Sequence, residues 1–213
     1  MTTFVYQGPR RGIDRAVLLA HGAGTDLEAA PLRAVADALA DAKIPSLRFN
    51  YPYRDAGRNA PDRPAVLLES TRAAVVELAR RTKLPSEGLV IGGRSMGGRY
   101  CSLVAGAEAD PVAVRGLLLL GYPLHAAGKP EKVRDDHFRR LTMPVLFVSG
   151  TRDSLAAKPE LQRSARKVKG TVSWCWLDTA DHGFRPLKSS GRTLDDVLAT
   201  AAEASVAWVQ QLA

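Results

Sequence analysis

With 213 residues, 46% of them hydrophobic and 24% charged, the chain has the size and composition of one soluble globular domain over residues 1–213, not of a disordered segment. No stretch approaches the roughly 20 apolar residues that cross a bilayer, and the start, Met1-Thr2-Thr3-Phe4, lacks the charged head and apolar run of a signal peptide; no membrane partner and a cytoplasmic location are expected. Lys and Arg number 30 against 22 Asp and Glu, a net charge of +8, but the basic residues are scattered and form no recognisable nucleic-acid module, which argues against nucleic acid as the primary partner.

Phe4 to Gln7 reads as a short edge strand closed by Gly8-Pro9. Ala16 to Ala20 is a continuous apolar run, expected of a strand buried on both faces, and it ends in His21-Gly22-Ala23-Gly24. Asp26 is placed to cap the segment after it. From Pro31 to Asp41, Leu32, Val35, Ala36 and Leu39 recur at helical spacing. Ile44 to Phe49 is the next strand, with an early proline, and Asn50 to Pro64 is a long polar loop of the kind that often carries function. A helix over Ala65 to Thr82 puts Val66, Ser70, Ala73, Ala74 and Leu78 in register.

Gly88 to Gly92 is an apolar strand that runs into Gly93-Arg94-Ser95-Met96-Gly97, and helical spacing continues to Ala105. A strand that turns abruptly into a helix needs small residues two before and two after the turning residue, because side chains there would collide with neighbouring backbone. Gly93 and Gly97 meet that need. Ser95 is therefore a candidate nucleophile at the tip of a sheet, with the positive end of the next helix turned toward any oxyanion formed there.

Gly116 to Leu120 is another buried strand, followed by an irregular segment from Gly121 to Thr142. Pro144 to Ser149 is a strand ending in Gly150-Thr151-Arg152-Asp153, and Ser154 to Arg166 reads as helical. Thr171 to Leu177 is the last strand and leads to Asp178-Thr179-Ala180-Asp181-His182-Gly183-Phe184. A helix over Thr193 to Gln211 directs Leu194, Val197, Leu198, Ala201 and Val209 toward the sheet. Cys101 and Cys175 lack metal-ligand spacing and read as buried free thiols. This alternation predicts an α/β fold: a mostly parallel sheet of about six or seven strands, helices on both faces, and ligands outside the carboxyl ends of the strands.

A serine hydroxyl needs a base within hydrogen-bond reach and a third group to orient that base. Of the four histidines, His125 and His137 lie in the irregular segment, and His21 sits in a loop where a loop-shaping role is expected. His182 follows the last strand in a glycine-containing loop. Asp153, directly after a strand, is the natural orienting carboxylate; it is also placed to cap the helix after it, and Asp178 and Asp181 lie nearer His182 along the chain.

The order Ser95, Asp153, His182 is that of the α/β-hydrolases, and the chain resembles the compact dienelactone hydrolase branch of that superfamily and its small bacterial relatives with a serine nucleophile. His21-Gly22-Ala23-Gly24 resembles the oxyanion loop, Gly93-Arg94-Ser95-Met96-Gly97 the nucleophile elbow, Gly150-Thr151-Arg152-Asp153 the acid turn and Asp181-His182-Gly183-Phe184 the histidine loop. The resemblance implies an α/β-hydrolase fold and a serine hydrolase that cleaves carboxylic esters or thioesters through an acyl-enzyme, with no metal and no organic cofactor. His182 is implied as the base and Asp153 as its orienting group, with the amides of Met96 and Ala23 as oxyanion donors. Dienelactone hydrolases carry a cysteine nucleophile where this chain has Ser95, so their lactone substrate is not carried over. Gly121 to Thr142 is too short for a large lid domain, so an open site for small or exposed acyl groups is expected.

Arg54 and Arg58 in the long loop, Arg94 beside the nucleophile and Arg185 after the histidine loop are candidates for an entrance that favours carboxylate or phosphate groups, or else are surface charges paired with Asp55, Asp62 and Asp181. Tyr122 is a further substrate-binding candidate; it, Tyr51 and Tyr53 are pocket walls or ordinary half-buried aromatics. A non-catalytic scaffold binding a partner or small ligand, and acyl transfer to an acceptor other than water, are the alternative functions. The sequence does not fix the oligomeric state.

Overall fold

A computed structural model describes residues 2–213. The apolar runs form seven strands: β1 (Phe4–Gln7), β2 (Ala16–Ala20), β3 (Ser46–Phe49), β4 (Leu89–Arg94), β5 (Gly116–Leu120), β6 (Val145–Gly150) and β7 (Val172–Leu177). They join into one sheet in the order β1-β3-β2-β4-β5-β6-β7, and only β1 is antiparallel to its neighbour. Every residue of β2, β4, β5 and β6 is buried, as unbroken apolar runs require.

Among the described residues six α-helices accompany the sheet: α1 (Ala30–Asp41), α2 (Pro52–Asp55), α3 (Pro64–Thr82), α4 (Met96–Ala105), α5 (Lys158–Ala165) and α6 (Leu194–Gln211). Pleating sends alternate strand residues to opposite faces. Val17, Leu19, Val90, Leu118 and Val148 pack with Leu32 and Leu39 of α1 and Val197 and Val209 of α6. Leu18, Ile91, Leu119 and Phe147 pack with Leu67 and Leu78 of α3, Tyr100 of α4 and Leu161 of α5. The fold is thus a mostly parallel α/β sandwich, with no lid domain among the described residues. No helix among them is long and apolar enough to cross a membrane.

Several boundaries differ from the periodicity for local reasons. β3 begins at Ser46, not Ile44, because Pro45 has no N–H to give the ladder; its carbonyl accepts instead from Val17 N at 2.9 Å. Residues 52–55 of the long loop coil into α2, whose proline occupies the first helical position, where no N–H is needed. α5 begins at Lys158 and not at Ser154, since Leu155 N donates to Asp153 Oδ1 at 2.8 Å and closes a turn there; Asp153 is not a helix cap. Asp26 closes a similar turn, accepting from Glu28 N at 2.9 Å, while α1 starts after Ala29. The buried face of α3 is Leu67, Thr71, Ala74, Val75 and Leu78, with Val66 and Ala73 turned outward. Thr71 is accepted in that core because its hydroxyl bonds both Leu67 O at 2.8 Å and the Tyr51 hydroxyl at 3.0 Å. Leu194 is exposed at the start of α6, and Cys175 is only half-buried, unlike Cys101.

The chain runs outward from β2 to β3, returns to β4 and then proceeds the other way to β7. The carboxyl ends of β2 and β4 therefore flank a topological switch point, where a crevice opens above the sheet. One long-range clamp joins the two ends of the domain: Arg15 Nη1, just before β2, donates to the carbonyls of Val209, Gln210 and Leu212 at 2.8, 3.0 and 3.0 Å, capping α6.

Candidate active site

Ser95 sits between β4 and α4 with φ 50° and ψ −114°, a strained backbone for a residue with a side chain. The turn is held from both sides. A Cβ at Gly93, whose φ is +146°, or at Gly97 would overlap the carbonyl of Ala20 on β2, so each glycine permits the approach of the neighbouring strand. Ser95 N donates to Leu120 O at 2.9 Å, and Ser95 O accepts from Arg99 N at 3.0 Å as the first bond of α4.

Ser95 Oγ lies 2.9 Å from His182 Nε2, and His182 Nδ1 lies 2.8 Å from Asp153 Oδ2. The Asp153 side chain is wholly buried and that of His182 is 23% exposed, so the acid is sheltered while the ring is partly open to solvent. The two rival carboxylates are engaged elsewhere. Asp178 Oδ1 accepts from Thr151 Oγ1 at 3.4 Å, and Asp181 Oδ1 from Arg185 N at 2.9 Å.

On the far side of the switch point, Tyr51 N donates to His21 Nε2 at 3.0 Å, which leaves His21 Nδ1 to donate to Gly22 O at 2.7 Å. Burial pulls the pKa of this fully enclosed imidazole down, so it serves as a neutral strut of the loop, not a base. Tyr53 Oη donates to Ala23 O at 2.8 Å and fixes the next residue. Ala23 and Met96 both border the cleft that contains Ser95, and the N–H of Met96 is one of those a helix leaves unpaired at its start.

That cleft has a volume of about 350 Å³. Of the residues expected to bind substrate, none of Arg54, Arg58, Arg94 and Tyr122 borders it. Arg54 pairs with Asn59 of its own loop at 2.7 Å and with Asp26 of the segment after β2 at 3.6 Å, and Arg58 pairs with Asp62 of its own loop at 2.6 Å. Tyr122 is fully buried, with its hydroxyl donating to Arg134 O at 2.6 Å. Arg94 points inward: its guanidinium bonds the carbonyls of Leu120, Gly121 and His182 and lies 4.8 Å over the Phe184 ring. Burial lowers its pKa to about 10, opposed by the charges of Asp153 and Asp181. It ties the elbow to the histidine loop. The arginines that do line the cleft are Arg99 and Arg134, together with His125, which sequence reasoning missed. The signal for Arg99 was available, since it lies four residues after Ser95 on one helix; Arg134 comes from a segment without periodicity.

His137 lies away from the cleft, bonded through Nε2 to Ser102 Oγ at 2.8 Å inside the protein. A larger hollow of about 500 Å³ lies against Trp174 on β7 and is lined by neither Ser95 nor His182. Among the described residues, no group of three or more His, Cys, Asp and Glu is placed to hold a metal ion.

Residues 13–210 match the family model of the alpha/beta hydrolase domain. An alpha-beta serine hydrolase homologue from Coxiella burnetii superposes with a TM-score of 0.71 at 16% identity, covering 95% of this chain and 91% of that one. A dienelactone hydrolase from Anabaena variabilis gives 0.71 at 19% identity over 100% and 93% of the two chains. Est1E from Butyrivibrio proteoclasticus, solved with ferulic acid bound, gives 0.71 at 17% identity over 99% and 96%.

Proposed function

The chain belongs to the alpha/beta hydrolase domain family, and from that footing we propose that it is a serine hydrolase that cleaves carboxylic esters or thioesters of small acyl groups through an acyl-enzyme. The observation that carries this reading is the unbroken relay from Ser95 Oγ through His182 to Asp153, with contacts of 2.9 and 2.8 Å.

In the reaction, Ser95 Oγ attacks the ester carbonyl while His182 Nε2 takes its proton. Asp153 keeps the other proton on Nδ1 and stabilises the imidazolium that forms. The carbonyl electron pair moves onto oxygen, where the amides of Met96 and Ala23 donate to it; one such donor contributes about 3 kcal/mol to the transition state. Collapse expels the alkoxide or thiolate, which takes the proton from Nε2. Water, deprotonated by the same imidazole, then releases the acid and restores Ser95. A cleft of about 350 Å³ suits small acyl groups.

A fluorophosphonate probe tests the reading. Labelling of Ser95 that disappears in Ser95→Ala supports it, together with turnover of 4-nitrophenyl acetate or butyrate. A folded protein that neither labels nor turns over either ester is a binding scaffold, and the reading fails.

A further inference from the structure

The relay from Ser95 to Asp153 makes no use of the two guanidinium groups that border its cleft. Arg99 stands one helical turn past the nucleophile, its N–H bonded to the Ser95 carbonyl at 3.0 Å, so its side chain leaves α4 on the side that carries Ser95. Arg134 reaches the same cleft from the segment between β5 and β6. Its backbone is fixed at both ends: Arg134 N donates to Leu124 O at 2.7 Å, and its carbonyl accepts from the Tyr122 hydroxyl at 2.6 Å.

Among the described residues no carboxylate pairs with either guanidinium, and Arg99 has only the face of the Tyr100 ring, 5.5 Å from its Cζ. The Nε of Arg99 is buried without a hydrogen-bond partner. The groups whose charge acts on Arg134 are Arg99, Tyr122 and Tyr100, with no carboxylate among them. Burial first, and then the charge of Arg99, lowers the Arg134 pKa. Asp62, the acid that also borders the cleft, is occupied by Tyr53 N at 2.9 Å and Arg58 at 2.6 Å. Two like charges held close together and partly out of water are unfavourable unless an anion joins them.

The scaffold also ties together the two backbones that carry them. Ser102, one turn after Arg99 on α4, is bonded to His137, three residues after Arg134, at 2.8 Å in the interior, and its hydroxyl lies 2.8 Å from Arg99 O. Two donors carried on anchored backbones need less reorganisation to grip a planar or tetrahedral anion than donors on free loops.

We propose that Arg99 and Arg134 form an anion subsite that selects ester substrates bearing a carboxylate or phosphate group, held in the cleft beside Ser95. The assignment rests on the esterase reading above for its substrate class, and its binding component is tested separately from turnover. The selectivity expected of Arg54, Arg58 and Arg94 falls instead to these two side chains.

The kinetic arm compares 4-nitrophenyl butyrate with mono-4-nitrophenyl glutarate, whose acyl chain is butyrate plus a terminal carboxylate. The native protein is expected to favour the anionic ester in kcat/KM. Arg99→Gln and Arg134→Gln each lower that preference by about tenfold, the scale of one charge-assisted hydrogen bond. If Arg99→Gln does not fold, Arg134→Gln carries the same test. The binding arm titrates Ser95→Ala calorimetrically with monomethyl glutarate, methyl 3-phosphonopropionate and neutral dimethyl glutarate, and needs no turnover. Tighter binding of the first assigns a carboxylate, of the second a phosphate-like group. Binding of neither more tightly than the neutral diester overturns the subsite, as does a preference that persists in Arg99→Gln/Arg134→Gln. Labelled Ser95 with no anion preference refutes the subsite alone, whereas anion binding without labelling refutes the hydrolase reading alone.

Discussion

Acid should loosen this protein first at His137. The residue is 4% exposed, with Nε2 2.8 Å from Ser102 Oγ, and it joins the segment between β5 and β6 to α4. Its burial, reinforced by the charges of Arg99 and Arg140, depresses its pKa from 6.5 to about 4. The unfolded chain therefore binds a proton below its ordinary pKa of about 6.5 while the folded chain does so only near 4. Across that window the unfolded state holds more protons, so the stabilising contribution is complete above pH 6.5 and is lost as the pH falls toward 4. The separation corresponds to a loss of about 2 kcal/mol by pH 5 and about 3 kcal/mol by pH 4. That is a large part of a typical stability of about 5–15 kcal/mol. Urea unfolding followed by tryptophan fluorescence at pH 7, 6 and 5, for the native protein and His137→Gln, isolates the effect, because the carboxylates shared by both proteins cancel in the difference. The variant should start less stable and the two curves should converge by about 2 kcal/mol between pH 7 and pH 5. Parallel curves refute the reasoning.

Two further outcomes concern the elbow and its relay. Asp153→Asn should retain the fold by circular dichroism yet lower kcat on 4-nitrophenyl butyrate on the order of 10⁴-fold, as expected when the imidazole is held in the wrong tautomer; a loss under tenfold removes Asp153 from the relay. Gly97→Ala, whose Cβ would overlap the Ala20 carbonyl, should lower stability by more than about 3 kcal/mol, whereas Gly57→Ala at φ +71° in open space should cost about 1 kcal/mol. Equal shifts in urea midpoint would show that the approach of β2 does not require glycine at the elbow.

The strands were legible because a parallel sheet covered on both faces demands continuous apolar runs, and Ala16 to Ala20 or Gly116 to Leu120 are such runs, too short for a buried helix. The turn at Ser95 was legible because it imposes glycine at two fixed offsets. Asp153 could not be separated from Asp178 by sequence, since the deciding quantity is where β6 and β7 end in space. The lining of the cleft was harder still. Arg94 neighbours Ser95 in sequence, yet the elbow turns consecutive side chains in different directions and sends it under the histidine loop. Arg99 and Arg134 meet only because a segment without helical or strand period folds back over α4. On α3 the periodicity was right and the phase was not, because Thr71 is buried through its hydroxyl bonds, which a hydrophobic count does not register.

The Arg15 clamp on the end of α6 has a consequence for how the molecule is made. Ser95 and His182 are separated by 87 positions, which a ribosome takes on the order of ten seconds to traverse. The carbonyls that Arg15 grips, those of Val209, Gln210 and Leu212, emerge later again. Until then the face of the sheet bearing Val17, Leu19 and Val148 lacks its α6 cover. A nascent chain thus carries Ser95 for some time without its His182 contact and with apolar surface open to chaperones. The apolar face is sealed only when α6 closes against the residue that precedes β2, so a chain released before then is prone to stick.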